Sequence, residues 1–219
     1  TAPENRFLSP AFDYHRAFAR NLGWVTEAEQ AILRAKRIAI AGLGGVGGSH
    51  VLTLTRLGIG AFNIADFDTF DLPNFNRQAG ASLRHLGRPK VEVLAELATD
   101  INPGLDLRTF PQGVNRDNLD AFLDGVDLYV ETRRMVFAAC AEKSIPAITA
   151  APLGMGTAFL AFMPGQMTFE EYFRMEGRPE SEQLLRFLVG LSPAMLQLKY
   201  LAEKGRVNLD GHEGPSTAM

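Results

Sequence analysis

Between positions 66 and 90 the chain gathers Asp66, Asp68, Asn74, Asn76, Arg77, Gln78, Arg88 and Lys90. A guanidinium binds phosphate through two parallel hydrogen bonds, an ammonium adds a point charge, and carboxylates suit ribose hydroxyls or a metal. Such a set neutralises a triphosphate and steadies charge at a phosphorus under attack. Just upstream runs Gly42-Leu43-Gly44-Gly45-Val46-Gly47-Gly48, in which Gly42, Gly44 and Gly47 satisfy G-x-G-x-x-G. Its missing side chains allow a tight turn and a close anion approach, and the start of the helix that follows offers unpaired N–H groups. Asp66 stands 24 residues after Gly42, near the spacing at which a carboxylate grips a ribose hydroxyl. The glycines alone choose neither NAD nor ATP. The cations after Asp66 favour a triphosphate, since a dehydrogenase has little need of them there.

These residues need a frame, and the hydropathy pattern supplies one. "RIAIAG", "FNIAD", "LDLRTF", "VDLYVE" and "PAITAA" read as strands. Between them "VGGSHVLTLTRLG", "KVEVLAELATDIN", "NRDNLDAFLDG" and "RRMVFAACAEK" read as helices. Strands separated by helices of this length imply βαβ units, hence a doubly wound, mostly parallel α/β sheet. Residues 1–36 are expected to form a helical N-terminal arm, with "DYHRAFARNLG" as one helix and Thr26, three residues before Glu29, capping the next. Residues 37–165 are expected to form the nucleotide-binding unit. Residues 166–219 are expected to form a helical extension through "MTFEEYFRM", "SEQLLRFLVG" and "SPAMLQLKYLAEKG".

Composition removes several classes. The 219 residues are 46% apolar, enough for one domain with extensions. The single cysteine, Cys140, excludes an intramolecular disulfide and a four-cysteine zinc cage, and reads as a small buried side chain. With 22 Lys+Arg against 25 Asp+Glu the net charge is −3, without the basic surplus of a DNA-binding surface. No residue from Ser144 to Phe169 is charged, yet prolines and glycines cut that stretch into short pieces. "AITAA" and "TAFLAFM" therefore read as buried strands, and no membrane span or secretory leader is expected. A cytoplasmic location follows as the expectation. His15, His50, His85 and His212 are scattered, with no metal-ligand spacing.

The combination "GLGGVGG", "DFDTFDLPNFNRQ" and "GRPKVE", in this order, resembles the adenylation domain of the ubiquitin-activating-enzyme superfamily, in particular its ThiF/MoeB/HesA-type bacterial members. The likeness runs from about Arg20 to Pro164. It implies a Rossmann-like fold, a homodimer, ATP and Mg²⁺ as cofactors, and adenylation of a carboxylate. That carboxylate is usually the C-terminus of a ubiquitin-like or sulfur-carrier protein; a modified tRNA is the secondary expectation. The resemblance implies nucleotide-binding roles for Gly42, Gly44, Gly45, Gly47, Asp66, Asp68, Asn74 and Gln78. It implies catalytic roles for Arg77, for Lys90, and for Arg20 reaching the triphosphate from the partner subunit; Asn21 stands where the family usually has Gln.

The pattern departs after the fourth strand, where the family carries "D-x-x-D-N/F…R" and a metal-binding Asp. Here "VDLYVE" runs into "TRRMVFAAC", about half a dozen residues too short, so no metal ligand is assigned. Either that ligand is lost or a loop is missing between the two segments, and Glu131 is a partial substitute at best. Two further readings stand beside adenylation: an NAD(P)-dependent oxidoreductase, which leaves Arg77 and Lys90 idle, and a non-catalytic nucleotide-binding scaffold.

Overall fold

The computed structural model describes residues 11–130, 133–153 and 156–193. Its elements run α1 (Tyr14–Ala17), α2 (Glu27–Ala35), β1 (Arg37–Ala41), α3 (Gly45–Leu57), β2 (Ala61–Ala65), α4 (Lys90–Ile101), β3 (Asp106–Phe110), α5 (Leu119–Leu123), β4 (Leu128–Val130), α6 (Arg134–Glu142), β5 (Ala147–Leu153), β6 (Gly156–Phe162), α7 (Phe169–Phe173) and α8 (Glu180–Leu191). The strands form one sheet in the order β3-β2-β1-β4-β5-β6. β1 to β5 are parallel and β6 returns antiparallel to β5. The chain leaves β1 towards β2 and later crosses back to β4 on its other side. That reversal opens a crevice at the carboxyl ends of β1 and β4, the usual ligand position in such sheets.

Two apolar layers hold the sheet. Ile38, Ile40, Phe62 and Ile64 meet Leu43, Val51, Val91 and Leu94 of the α3–α4 side. Phe122, Tyr129, Phe137, Phe169, Phe173 and Leu191 fill the other face, so α7 and α8 complete the core begun by α5 and α6. Arg134 ties these helices together, its guanidinium gripping both oxygens of Glu170 at 2.6 and 2.7 Å and reaching Gln183 Oε1 at 2.9 Å.

Local chemistry explains the element ends. Thr26 Oγ1 accepts from Glu29 N, and Glu29 Oε2 accepts from Thr26 N at 2.7 Å, the reciprocal cap expected for α2. The arm is less helical than "DYHRAFARNLG" suggests: α1 has four residues and a 3₁₀ turn follows at Ala19–Asn21. Docking takes precedence over helix continuation, with Tyr14 Oη donating to Gly58 O at 2.5 Å and Asn21 Nδ2 to Leu57 O at 3.0 Å. α5 is also shorter than expected. The Asn115 side chain accepts from Asp117 N and Asn118 N, offering that backbone a turn in place of a helix.

β6 differs from the reading of a buried strand. It is an edge strand: Leu160 and Phe162 pack on the core while Phe159, on the opposite face, is 64% exposed. All of "SPAMLQLKYLAEKG" after Pro193, the polar tail with His212, and Glu131 lie outside the described residues. No helix among the described residues is long and apolar enough to cross a membrane.

Candidate functional site

The glycine loop sits at the crevice. Gly42 takes φ +111°, a conformation that side chains disfavour, and its N–H extends the ladder to Ala65 O at 2.8 Å. Gly44 then caps α3 with no side-chain hydrogen bond, so the first-turn N–H groups of that helix have no partner within it. Gly48, one turn on, was not among the expected site residues. A Cβ there would stand 3.1 Å from both Leu43 O and Leu94 Cδ1, so it is the close approach of α3 to the loop and α4 that needs glycine.

Asp66 holds this loop. It is only 6% exposed, and its two carboxylate oxygens accept from Leu43 N at 2.6 Å and Asp68 N at 2.8 Å. Asp68 in turn receives Lys90 twice: Lys90 N donates to its carbonyl at 2.9 Å, and Lys90 Nζ donates to its carboxylate at 3.2 Å. The carboxylate is half-exposed whereas the lysine side chain is buried. Lys90 opens α4 directly after Pro89, whose fixed φ suits a helix start. A hydrogen-bonded chain thus runs from the glycine loop through Asp66 and Asp68 to the ammonium.

The segment after Asp71 covers the loop from the other side. Asn74 Oδ1 accepts from Asp71 N at 3.0 Å, closing a short 3₁₀ turn, and Asn74 O receives Gln78 N at 2.9 Å. That turn lays Arg77 over the start of α3, its Cγ 3.3 Å from where a Cβ on Gly45 would be. The Arg77 guanidinium is parked on Pro73 O at 2.8 Å and Asn76 Oδ1 at 3.0 Å. Gln78 is 7% exposed, with Nε2 4.0 Å from the Cβ position of Gly44 and with Oε1 buried and unpartnered among the described residues. The unpartnered amide oxygen of Gln78 beside an uncapped helix start would be satisfied by a hydrogen-bond donor on a bound group.

Two cations do not join them. Arg88 turns away and grips both oxygens of Glu96 at 3.0 and 2.5 Å, which holds the Glu96 carboxyl below its usual range. Spacing alone had grouped Arg88 with the anion-binding set. Arg20 is exposed in the arm, and the neighbouring Asn21 is bonded to Leu57 O at the far end of α3. A helix of 13 residues is about 20 Å long, so the fold does not bring Arg20 to the glycine loop of its own chain. Among the described residues no group of three or more His, Cys, Asp or Glu could hold a metal ion. Cys140 is buried, and burial pushes its thiol up to about 12.

The sequence pattern of the ThiF family matches residues 18–203. The chain belongs to the ThiF family. It is 31% identical over 145 residues to the sulfur carrier protein ThiS adenylyltransferase of Escherichia coli K12, covering 63% of this chain and 57% of that protein. It is 28% identical over 139 residues to the tRNA threonylcarbamoyladenosine dehydratase of Bacillus subtilis, covering 60% and 55%. The chain spans just over half the length of these curated relatives. Among solved structures, the E. coli tRNA N6-threonylcarbamoyladenosine dehydratase in complex with ATP superposes with a TM-score of 0.61 at 28% identity, over 65% of this chain and 61% of that one. ThiF-family relatives thus include proteins named for adenylating a sulfur carrier and proteins named for tRNA chemistry.

Proposed function

We propose that this ThiF-family chain is an ATP-dependent adenylyltransferase that activates a carboxylate, the C-terminus of a ubiquitin-like or sulfur-carrier protein. The observation that carries this reading is the hydrogen-bonded chain from the glycine loop through Asp66 and Asp68 to Lys90, with Arg77 laid across the start of α3. The uncapped helix start suits phosphates, the Arg77 stem lies over it, and Lys90 is tied to the same loop through Asp68 and Asp66. The ATP complex of a 28% identical relative supports the choice of nucleotide. An NAD(P)-dependent oxidoreductase explains Gly42, Gly44, Gly47 and Asp66 and leaves both cations without a task.

In the reaction a carboxylate oxygen of the substrate attacks the α-phosphorus of ATP. The new bond is C–O–P, the bond to the bridging oxygen of the β-phosphate breaks, and pyrophosphate leaves with that electron pair. The two reactants are both anions, so their charge must be cancelled before they meet. Arg77 and Lys90 do this, by fixed electrostatics and not by proton transfer. The buried stem of Lys90 keeps its ammonium in place, and Arg77 exchanges Pro73 O and Asn76 Oδ1 for phosphate oxygens. Gly42, Gly44, Gly45 and Gly47 admit the phosphates, Asp66 meets the ribose, and Asn74 and Gln78 shape the loop around them. Mg²⁺ carried on ATP would need only one or two carboxylates besides phosphate oxygens and water, and Asp68, whose half-exposed carboxylate also holds Lys90, would supply one. Arg20, held at the far end of α3, acts across a homodimer.

ATP–pyrophosphate exchange tests the reading. Lys90→Met, which keeps the buried stem, and Arg77→Ala each lower exchange about 10²–10³-fold with an unchanged melting temperature. Exchange that survives both changes, or calorimetry showing NAD bound and ATP not bound, overturns it. Stimulation of exchange by a sulfur-carrier protein supports the protein substrate. Stimulation by tRNA alone replaces that substrate with the one named in the dehydratase relatives.

A further inference from the structure

A cavity of about 330 Å³ lies in the N-terminal arm, between α1 and α2, where the arm docks on the far end of α3. Its apolar wall is Tyr14, Phe18 and Leu22, the first two ring to ring with centroids 4.7 Å apart. Its polar wall is one face of α2, where Glu27, Gln30 and Arg34 recur at i, i+3 and i+7. Gln30 is 6% exposed, and its Nε2 is spent on Tyr14 Oη at 3.0 Å and Leu57 O at 2.9 Å. Its Oε1 has no partner among the described residues. The Arg34 guanidinium rests on the Tyr14 ring, 4.3 Å from the centroid, and neither it nor Glu27 forms an ion pair with a described residue.

The geometry points to a binding site for a free α-amino acid with an apolar or aromatic side chain, separate from the nucleotide crevice. Small-molecule pockets start at about 300 Å³, and about 150 Å³ is enough for a benzene ring, so this cavity holds a ring together with two small polar heads. A buried amide oxygen calls for an N–H donor. The neighbouring Glu27 carboxylate favours a cationic one, and an ammonium has donors for both. Further along α2, Arg34 presents the planar fork that suits a carboxylate, held in place by its contact with Tyr14. A rise of 1.5 Å per residue puts Arg34 about 6 Å beyond Gln30 and Glu27 about 4.5 Å before it. An α-amino acid carries both charged groups on one carbon, so the long side chains of Glu27 and Arg34 meet them by leaning in over Gln30. The ligand's side chain then faces Phe18 and Leu22. A polyanion fits badly, because the single arginine shares the wall with a carboxylate.

Calorimetric titration of the whole chain with L-phenylalanine tests the site. Saturable binding with a Kd of about 1 mM or tighter is expected, together with a raised melting temperature. N-acetyl-L-phenylalanine, which lacks the ammonium, and phenethylamine, which lacks the carboxylate, are each expected to bind about tenfold or more weakly. Ala31, an exposed wall residue, allows the cavity to be filled without touching the core. Ala31→Trp is expected to remove binding and Arg34→Gln to weaken it about tenfold or more, each with a melting temperature within about 2 °C of the wild type. A wild-type chain without saturable binding, or an Ala31→Trp chain that binds as well as the wild type, overturns the site. Equal binding of the three compounds, or an Arg34→Gln chain that binds as tightly as the wild type, overturns the amino-acid assignment.

Discussion

Removing the Asp66 carboxylate unseats the glycine loop as well as the proposed ribose contact. Its two oxygens accept backbone N–H groups of Leu43 and Asp68 at 2.6 and 2.8 Å. Leu43 is fully buried, so in Asp66→Ala its N–H loses its partner where water cannot replace it. Hydrogen bonds to a charged group contribute about 1.5–3 kcal/mol each. The Asp68 amide, being partly exposed, recovers part of its loss from water, which leaves about 3–4 kcal/mol for the pair. For a chain of this size 1 kcal/mol shifts the melting temperature by about 2–4 °C, so the variant should melt about 6–16 °C below the wild type. Asp66→Asn keeps an oxygen for Leu43 but turns an NH₂ group towards the Asp68 amide, and should fall between the two. Thermal unfolding followed by circular dichroism, without nucleotide, measures all three proteins. An Asp66→Ala variant that melts within about 2 °C of the wild type would falsify the view that this carboxylate holds the loop.

Two further outcomes follow from single buried groups. The Cys140 thiol, raised to about 12 by burial, is about 10⁻⁴ ionised at pH 8; native protein should resist a thiol reagent and react only in denaturant, and Cys140→Ala should keep pyrophosphate exchange. Rapid labelling of the folded chain would contradict this. His50, in α3, has a buried Nε2 with no partner among the described residues, and burial lowers its pKa. Folding then favours the neutral ring. The stability it contributes is complete above the unfolded value of about 6.5 and is lost as pH falls through the lowered folded value. Denaturant melts of the wild type should weaken from pH 7 to pH 5 more steeply than those of His50→Phe, and equal slopes would remove His50 from the account.

The alternation of strands and helices was legible from periodicity, because a period of 2 or 3.6 residues is set by local backbone geometry. So were the Thr26–Glu29 cap and the turn at Gly42, each of which depends on a few adjacent residues. The resemblance carried by "GLGGVGG", "DFDTFDLPNFNRQ" and "GRPKVE" is also visible in the chain, and it points to the ThiF family. The partner of each polar side chain was not visible. Arg88 and Lys90 are two residues apart, yet one turns to Glu96 along α4 and the other to Asp68 in the loop after β2.

Tertiary structure also decided that Arg37 reaches Asn63 Oδ1 at 2.8 Å and the Asp106 carboxylate at the amino end of the sheet. It left one face of β6 bare, and it set Arg133 above Phe67. The physical reason is common to these cases. Local sequence sets how a segment folds, whereas crossovers decide which distant segments end side by side, and a charged or aromatic side chain takes its role from what it then meets.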